Sequence, residues 1–244
     1  MKTSNIMSEV DWNAYSRKYD MLLAFNPFYQ EAFQRIMDQL KAWNIQAGGK
    51  VADLGAGTGN YSVEVARLFP EARILHIDSN PTMNKTALEK AEGLQNFSVL
   101  DQGIHEVEMQ EQSLNGLLCI NALYTFPEPE EALQKMYNWM IPGAKAVFLD
   151  PGRIMNMFSW RVAISRYLIK NYGLRKTLAI FKEAKVVGQQ NAYIRAMQKN
   201  GTYWTHSHEG FCKTLERTGF EIETSSICFK GDCDLVLARR PKLN

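Results

Sequence analysis

Short β-type runs alternate with helix-like stretches along most of the chain, and this alternation restricts the fold more than any other feature. Runs of β-branched or apolar residues fall at Val51–Leu54, Arg73–Ile77, Phe97–Leu100, Leu117–Asn121 and Ala146–Leu149. Stretches with helical spacing separate most of them, at Tyr61–Leu68, Thr82–Glu92 and Glu130–Met140. Strands joined through helices pair in parallel, because a crossover must carry the chain back to the same end of the sheet. The pattern predicts an α/β fold: a mainly parallel sheet covered by helices on both faces. Ahead of it, Asn26-Pro27 marks a helix start, and Tyr29, Phe33, Ile36, Met37, Leu40 and Trp43 recur at helical spacing before Gly48-Gly49. The end of the chain differs. A helix near Glu209–Thr218 stops at Gly219, and two strands, Glu221–Phe229 and Asp234–Ala238, follow with a turn at Gly231 between them.

Composition narrows the class. The 244 residues are 45% hydrophobic, enough for one sizeable core, and no internal repeat or low-complexity tract stands out. No uncharged apolar run reaches the 18 or so residues of a membrane span. The stretch MKTSNIMSEVDW has no apolar core of a secretory signal. Cys119, Cys212, Cys228 and Cys233 form no CxxC pair, so reduced thiols and a cytoplasmic location are expected.

Residues 153–204 interrupt the rhythm. They hold ten Lys or Arg against one acid, Glu183, a local charge of +9 that leaves −7 for the rest of a chain whose net charge is +2. Trp160, Ala163, Ile164, Tyr167 and Leu168 form one apolar helical stripe. The segment reads as a basic helical insertion over the ligand end of the sheet.

The first β-run opens into a glycine loop, VADLGAGTGN. Gly55, Gly57 and Gly59 offer backbone N–H groups and a helix N-terminus to a ligand. A dinucleotide fingerprint places its third glycine where this chain has Asn60, so the pattern is G-x-G-x-G preceded by Asp53. The second run ends in Asp78, placed to accept hydrogen bonds from both hydroxyls of a ribose. An acid there excludes a 2′-phosphate without separating NAD from other ribosides.

With these residues in order, the chain resembles the class I S-adenosylmethionine-dependent methyltransferases, and within them the ubiquinone/menaquinone C-methyltransferase-like group. The resemblance rests on VADLGAGTGNYS, HIDSNPTM, LLCINALYTFPEPEEAL and WMIPGAKAVFLDP, and covers about residues 10–152 and 202–244. It implies a Rossmann-like seven-stranded sheet whose last strand runs antiparallel. It also implies a core of 51–152 and 205–244, an N-terminal helical segment, 1–50, closing over the cofactor, and 153–204 as a cap over the acceptor pocket. The implied cofactor is S-adenosyl-L-methionine. Gly55, Ala56, Gly57 and Gly59 would lie under its methionyl part, Asp53 near its amino group, and Asp78 with Ser79 at the ribose. Met83 is either an adenine contact or ordinary core. Asp101 and Gln102 are candidates for the adenine amino group, because the aligned position is Gly103. Asn121 and Ala122 end the fourth strand at the cofactor. In WNAYSRKYD, Tyr15 and Tyr19 share a helix face, either over the cofactor and acceptor or as a docking surface, and Asp20 is a surface residue or a helix cap.

The acceptor is less legible. Tyr19, His206 and His208 are the candidate catalytic residues; the two histidines, as an i, i+2 pair, are expected on opposite faces of an extended segment. His105, Tyr124 and Asp150 are further pocket candidates. No metal is expected, since His206, His208 and Cys212 lack a fourth ligand at suitable spacing. The aromatic and methionine content of the insertion suits an apolar acceptor, and its charge suits an anionic one. Tyr15, Tyr124, Arg153 and Arg161 are the candidate acceptor contacts. The expectation is a methyltransferase acting on a lipid-like acid, such as a fatty or hydroxy-fatty acid carboxylate, or on a prenylated or polyketide-like aromatic. Residues 153–204 could also meet a membrane surface or an acidic carrier. No nucleic acid partner is expected, since no basic tail or RNA-binding module is evident. Two other readings stand beside this one: a NAD-dependent oxidoreductase, disfavoured by Asn60, and a cofactor-binding regulatory module without catalysis.

Overall fold

The computed structural model describes residues 11–242. Most of MKTSNIMSEVDW, read above as lacking a secretory signal, lies outside the described residues. Two helices, α1 (Trp12–Phe25) and α2 (Pro27–Leu40), lead into alternating strands and helices: β1 (Lys50–Leu54), α3 (Ser62–Leu68), β2 (Arg73–Ile77), α4 (Pro81–Lys90), β3 (Phe97–Leu100), β4 (Leu114–Ile120), α5 (Pro129–Trp139) and β5 (Met140–Asp150). Then come α6 (Met157–Glu183), α7 (Lys185–Lys199), α8 (His208–Thr218), β6 (Glu221–Cys228) and β7 (Cys233–Arg239).

All seven strands form one sheet in the order β3-β2-β1-β4-β5-β7-β6. Strands β1 to β5 pair in parallel, and β7 runs antiparallel to both β5 and β6. The last strand is therefore the reversed one, as the resemblance implied. Order reverses between β1 and β4, and the loops after these two strands leave the same end of the sheet, where ligands bind in open α/β sheets. One apolar cluster packs α5 and α8 on one face, through Leu133, Met136, Phe148, Phe211 and Leu215. The other packs α2 on the opposite face, through Ile36, Leu40, Val51, Leu118 and Val147.

Local sequence explains the boundaries. The Asn26 side chain accepts from the N–H of Phe28, with Pro27 at the first helical position. Asn80 and Pro81 repeat the device at α4, Asn80 accepting from Thr82 and Met83. Gly219 closes α8 in the left-handed conformation at φ 110°. Two expectations are corrected. Asn121 is not strand but turns out of β4 at φ 53°, and β5 begins at Met140, so the preceding helix ends one residue earlier and the strand is longer than their periodicity suggested. Trp43 lies beyond the end of α2 yet is buried against Gly116, where an added Cβ would sit 2.5 Å from its ring. The insertion is helical, as expected, but its first helix is broken at Gly173 (φ 76°, ψ 166°).

Candidate active site

Where the loops after β1 and β4 part, a cavity of about 320 Å³ opens. Three backbone features shape one end. Gly55 sits at φ 64°, and a Cβ there would approach that of Ala122 to 2.3 Å, so only glycine lets the two loops meet. Gly57, at φ 57°, has nothing within 4 Å of where its Cβ would stand, because that side faces the cavity. Asn121 holds a left-handed conformation, which Asn tolerates better than most side chains, and its N–H donates to Leu149 O at 2.6 Å.

The acids complete this end. Asp78 accepts from the N–H of Gly57 through Oδ2 and from that of Asn80 through Oδ1, both at 2.8 Å, so the loop sets the carboxylate's orientation and each oxygen keeps a free lone pair. Asp53 is buried, and its Oδ2 has no hydrogen-bond partner. Burial, then the nearby charge of Asp78, push its carboxyl up to about 8, against hydrogen bonds from Ser62 that lower it. A buried orphan carboxylate oxygen facing a cavity calls for a cationic or hydrogen-bonding partner. The amino group of S-adenosylmethionine is such a partner, its ribose suits Asp78, and the open side of Gly57 leaves room for its chain. The residues present fit that cofactor.

The other end is aromatic. Tyr15 and Tyr19 of α1, Tyr29 of α2, Tyr124 after β4, Trp160 of α6 and Tyr203 before α8 all face the cavity. Tyr19 meets Tyr15 and Tyr29 edge to face, with ring centroids 5.2 and 6.5 Å apart, and Tyr124 meets Tyr203 in the same way at 5.4 Å. Tyr15 donates its hydroxyl to Asn191 Oδ1 of α7 at 2.9 Å. Burial pushes the Tyr19 phenol up to about 12 and those of Tyr15, Tyr29 and Tyr124 well above their ordinary value, so all are neutral donors at physiological pH. No lysine or arginine lines the cavity among the described residues.

The structure brings together Asp53, Gly55, Ala56, Gly57, Asp78, Ser79, Met83, Gln102, Asn121 and Ala122 along one wall, with Tyr15, Tyr19 and Tyr124 opposite. It removes several other candidates. Gly59 does not line the cavity; an added Cβ would lie 2.8 Å from that of Ala87, so it is the packing glycine under α4. Asp101 stays outside and accepts instead from the Asn84 amide at 3.1 Å. Arg153 is spent on Asp234, Gly231 O and Cys233 O, and Arg161 is exposed on α6, so neither guanidinium reaches the acceptor end. His206 and His208 are also outside it, and they converge rather than diverge. The turn at Ser207 into α8 brings His206 Nδ1 to 3.3 Å and His208 Nδ1 to 2.8 Å from the buried Asp234 carboxylate. His206 Nε2 meets Asp150 Oδ2 at 3.1 Å, and Asp150 Oδ1 accepts from the N–H of Tyr124. These groups hold the cavity wall from behind.

Periodicity could not find Tyr29, Trp160, Tyr203 or Phe229, since in sequence they read as helix stripe, loop or strand end. A tyrosine on an otherwise apolar stripe, as at Tyr29, was the available signal. Asp20 is a surface residue rather than a helix cap, its side chain 46% exposed, and it is tied down there: it accepts from Thr58 Oγ1 at 2.7 Å and pairs with Lys90 at 2.7 Å. Among the described residues no helix is long and apolar enough to cross a membrane and no residues group as a metal site, and the four cysteines are free thiols.

Comparison with known proteins agrees with this geometry. Residues 51–143 match the family model described as a methyltransferase domain. A demethylmenaquinone methyltransferase of Oceanobacillus iheyensis is 26% identical over 141 residues, 57% of this chain and 58% of that protein. The ubiquinone/menaquinone biosynthesis C-methyltransferase of Blochmanniella floridana is 25% identical over 198 residues, 77% of this chain and 70% of that protein. The match thus spans little more than half the length of the first of these relatives. Among solved structures, the N-methyltransferase NodS of Bradyrhizobium japonicum, in complex with S-adenosyl-L-homocysteine, shares the fold with a TM-score of 0.62 at 16% identity, covering 94% of this chain and 100% of that one. The matched segment is the one that supplies the glycine loop, Asp78 and Asn121, and through it the chain carries a methyltransferase domain similar to those of the menaquinone and ubiquinone methyltransferases.

Proposed function

We propose that the protein methylates a small, largely apolar and uncharged acceptor of aromatic character, with a prenylated or otherwise lipophilic ring as the leading class. One observation carries this: the acceptor end of the cavity is walled by tyrosine and tryptophan rings, and no lysine or arginine lines the cavity among the described residues, His105 being its one histidine there. A fatty acid carboxylate would find no lysine or arginine to orient it, only the cofactor's own sulfonium, whereas a flat ring meets the aromatic walls directly. The names of the two relatives, both quinone-pathway methyltransferases, support an aromatic acceptor.

The cofactor supplies an electrophilic methyl group for in-line displacement. The chain's own part is to hold, orient and exclude water. Asp53 would hold a cationic amino group and Asp78 a ribose, while the rings of Tyr19 and Tyr124 offer apolar faces that would position a flat acceptor. The neutral phenols of Tyr19 and Tyr124 would donate hydrogen bonds to an acceptor oxygen. Because burial keeps the Tyr19 phenol protonated, it orients the acceptor rather than serving as its base.

Incubation with methyl-labelled S-adenosylmethionine and a panel of quinols, phenols and fatty acids tests the reading, with product mass and fragmentation locating the new methyl. Label in an aromatic product, lost in Asp78→Ala, is the expected result. Label in fatty acid esters alone would overturn the acceptor class. Cofactor binding with no transfer to any extract would favour a non-catalytic binding module.

A further inference from the structure

Helix α6 is apolar on two sides. Its inner side carries Trp160, Ile164 and Leu168, which are buried or half-buried. Its outer side carries Phe158, 79% exposed, and Ile169, 45% exposed. At 3.6 residues per turn these two lie roughly 20° apart, about 160–180° from Trp160 and about 80–100° from Leu168. Val162 and Ser165 fall on the same outer row, and the exposed Arg161 and Arg166 stand on either side of it. Beyond the break at Gly173 the arrangement recurs. Leu174 and Leu178, each 62% exposed, are one turn apart, with the exposed Arg175 and Lys182 beside them. Arg161, Arg166, Lys170, Arg175, Lys176 and Lys182 pair with no carboxylate among the described residues; Lys176 lies over the Tyr172 ring. Single exposed apolar residues are ordinary, but large ones set in rows between unpaired cations on one element are not.

We propose that the outer face of α6 docks on the surface of a lipid bilayer containing anionic lipids. A bilayer satisfies both halves of the pattern at once: the Phe, Ile and Leu side chains enter the boundary between headgroups and acyl chains, and the Arg and Lys side chains meet lipid phosphates. Charge supports the choice of an anionic surface, since 153–204 carries +9 while the rest of the chain carries −7, which orients this face towards the membrane. The same insertion reaches the cavity through Trp160, Asn191 and Ile194. Docking on α6 therefore sets the acceptor end of the site beside the phase in which a lipophilic acceptor dissolves.

The test is co-sedimentation of the full chain with vesicles of phosphatidylcholine, and with the same vesicles containing phosphatidylglycerol. The expected result is binding only where phosphatidylglycerol is present, weakened as salt is raised. Phe158→Ser/Leu174→Ser/Leu178→Ser removes the apolar rows, and Arg175→Glu/Lys182→Glu reverses charge beside them. Each should lower partitioning roughly tenfold or more, in line with apolar insertion and charge both contributing. Both variants are to keep the far-ultraviolet circular dichroism and S-adenosylmethionine affinity of the parent, which separates lost docking from lost folding. Because the readout is vesicle binding, it stands apart from the identity of the acceptor. The proposal is overturned if the parent stays in the supernatant with anionic vesicles. It is equally overturned if the serine variant binds as well as the parent, which indicates charge adsorption alone, or if the parent is an oligomer that the serine variant dissociates and neither binds vesicles.

Discussion

Thr58 donates its hydroxyl to the carboxylate of Asp20 at 2.7 Å, and so the loop after β1 holds the middle of helix α1. The second oxygen of Asp20 meets Lys90 at 2.7 Å, and Lys90 donates in turn to Asn60 at 2.8 Å. The helix that brings Tyr15 and Tyr19 over the cavity is thereby latched to the loop that cradles the cofactor.

Asp20→Ala should open this latch. The partly exposed carboxylate makes one hydrogen bond and one ion pair, so a loss of about 1–2 kcal/mol, roughly tenfold in cofactor affinity, is expected. Hydrogen exchange over Trp12–Phe25 should quicken in parallel. Unchanged affinity and exchange together would show that α1 docks by its aromatic face alone.

Two glycines of one loop should respond differently to alanine. At Gly55 the new Cβ meets Ala122 at 2.3 Å in a left-handed backbone, so Gly55→Ala should destabilise the fold by about 2–4 kcal/mol. At Gly57 the Cβ meets nothing within 4 Å, so only the backbone cost of about 1–2 kcal/mol applies, while the added methyl intrudes on the cofactor's space. Gly57→Ala should thus keep most of its melting temperature and lose binding. The reverse ranking by thermal melts and calorimetric titration would be inconsistent with the cavity described.

Cofactor binding should release a proton from Asp53. Its carboxyl, raised to about 8 by burial and by Asp78, is largely protonated in the free protein at neutral pH. A cationic amino group beside it favours the ionised form, so binding below about pH 8 expels the proton and tightens as pH rises towards that value. Calorimetry in buffers of different ionisation enthalpy measures the release, and Asp53→Asn, which should show none from this site, corrects for titration of the ligand's own amine. Equal release in both proteins would remove Asp53 from the amino-group position.

Stability without cofactor should fall as the solution becomes alkaline. Burial opposes charge on His206, but hydrogen bonds with Asp150 and Asp234 outweigh it and raise its value to about 9, with His208 and Arg153 completing the cluster around Asp234. A group whose value is raised on folding stabilises fully below its unfolded value, about 6.5 for histidine, and loses that contribution as pH climbs through its folded one. The window for His206 is therefore about pH 6.5 to 9. Asp53, raised to about 8, adds a fall of the same sign at lower pH, from about 4 upwards, so urea melts are best compared in an Asp53→Asn background. There His206→Gln should flatten the slope between neutral pH and 9; an unchanged slope would place the titration elsewhere.

The strands, the helices between them, the glycine loop and Asp78 were legible in the sequence because each is encoded over a few neighbouring residues: period-two or period-3.6 apolar spacing, an Asn-Pro cap, an acid at a strand end. The antiparallel final pair followed from the resemblance and from the turn at Gly231. What tertiary structure alone decided lies between segments far apart in the chain. Arg153 turned from the acceptor to Asp234, 81 residues on, because β5 and β7 are neighbours in the sheet and a buried carboxylate demands a partner. His206 and His208 met at that same carboxylate because one capping turn overrides the alternation of an extended strand. The aromatic wall joins side chains of α1, α2, α6 and the loops before α5 and α8, and no local period specifies that meeting. Local backbone preference therefore determined where the methyl donor can sit, whereas the burial of distant rings and the pairing of buried charges determined what can sit opposite it.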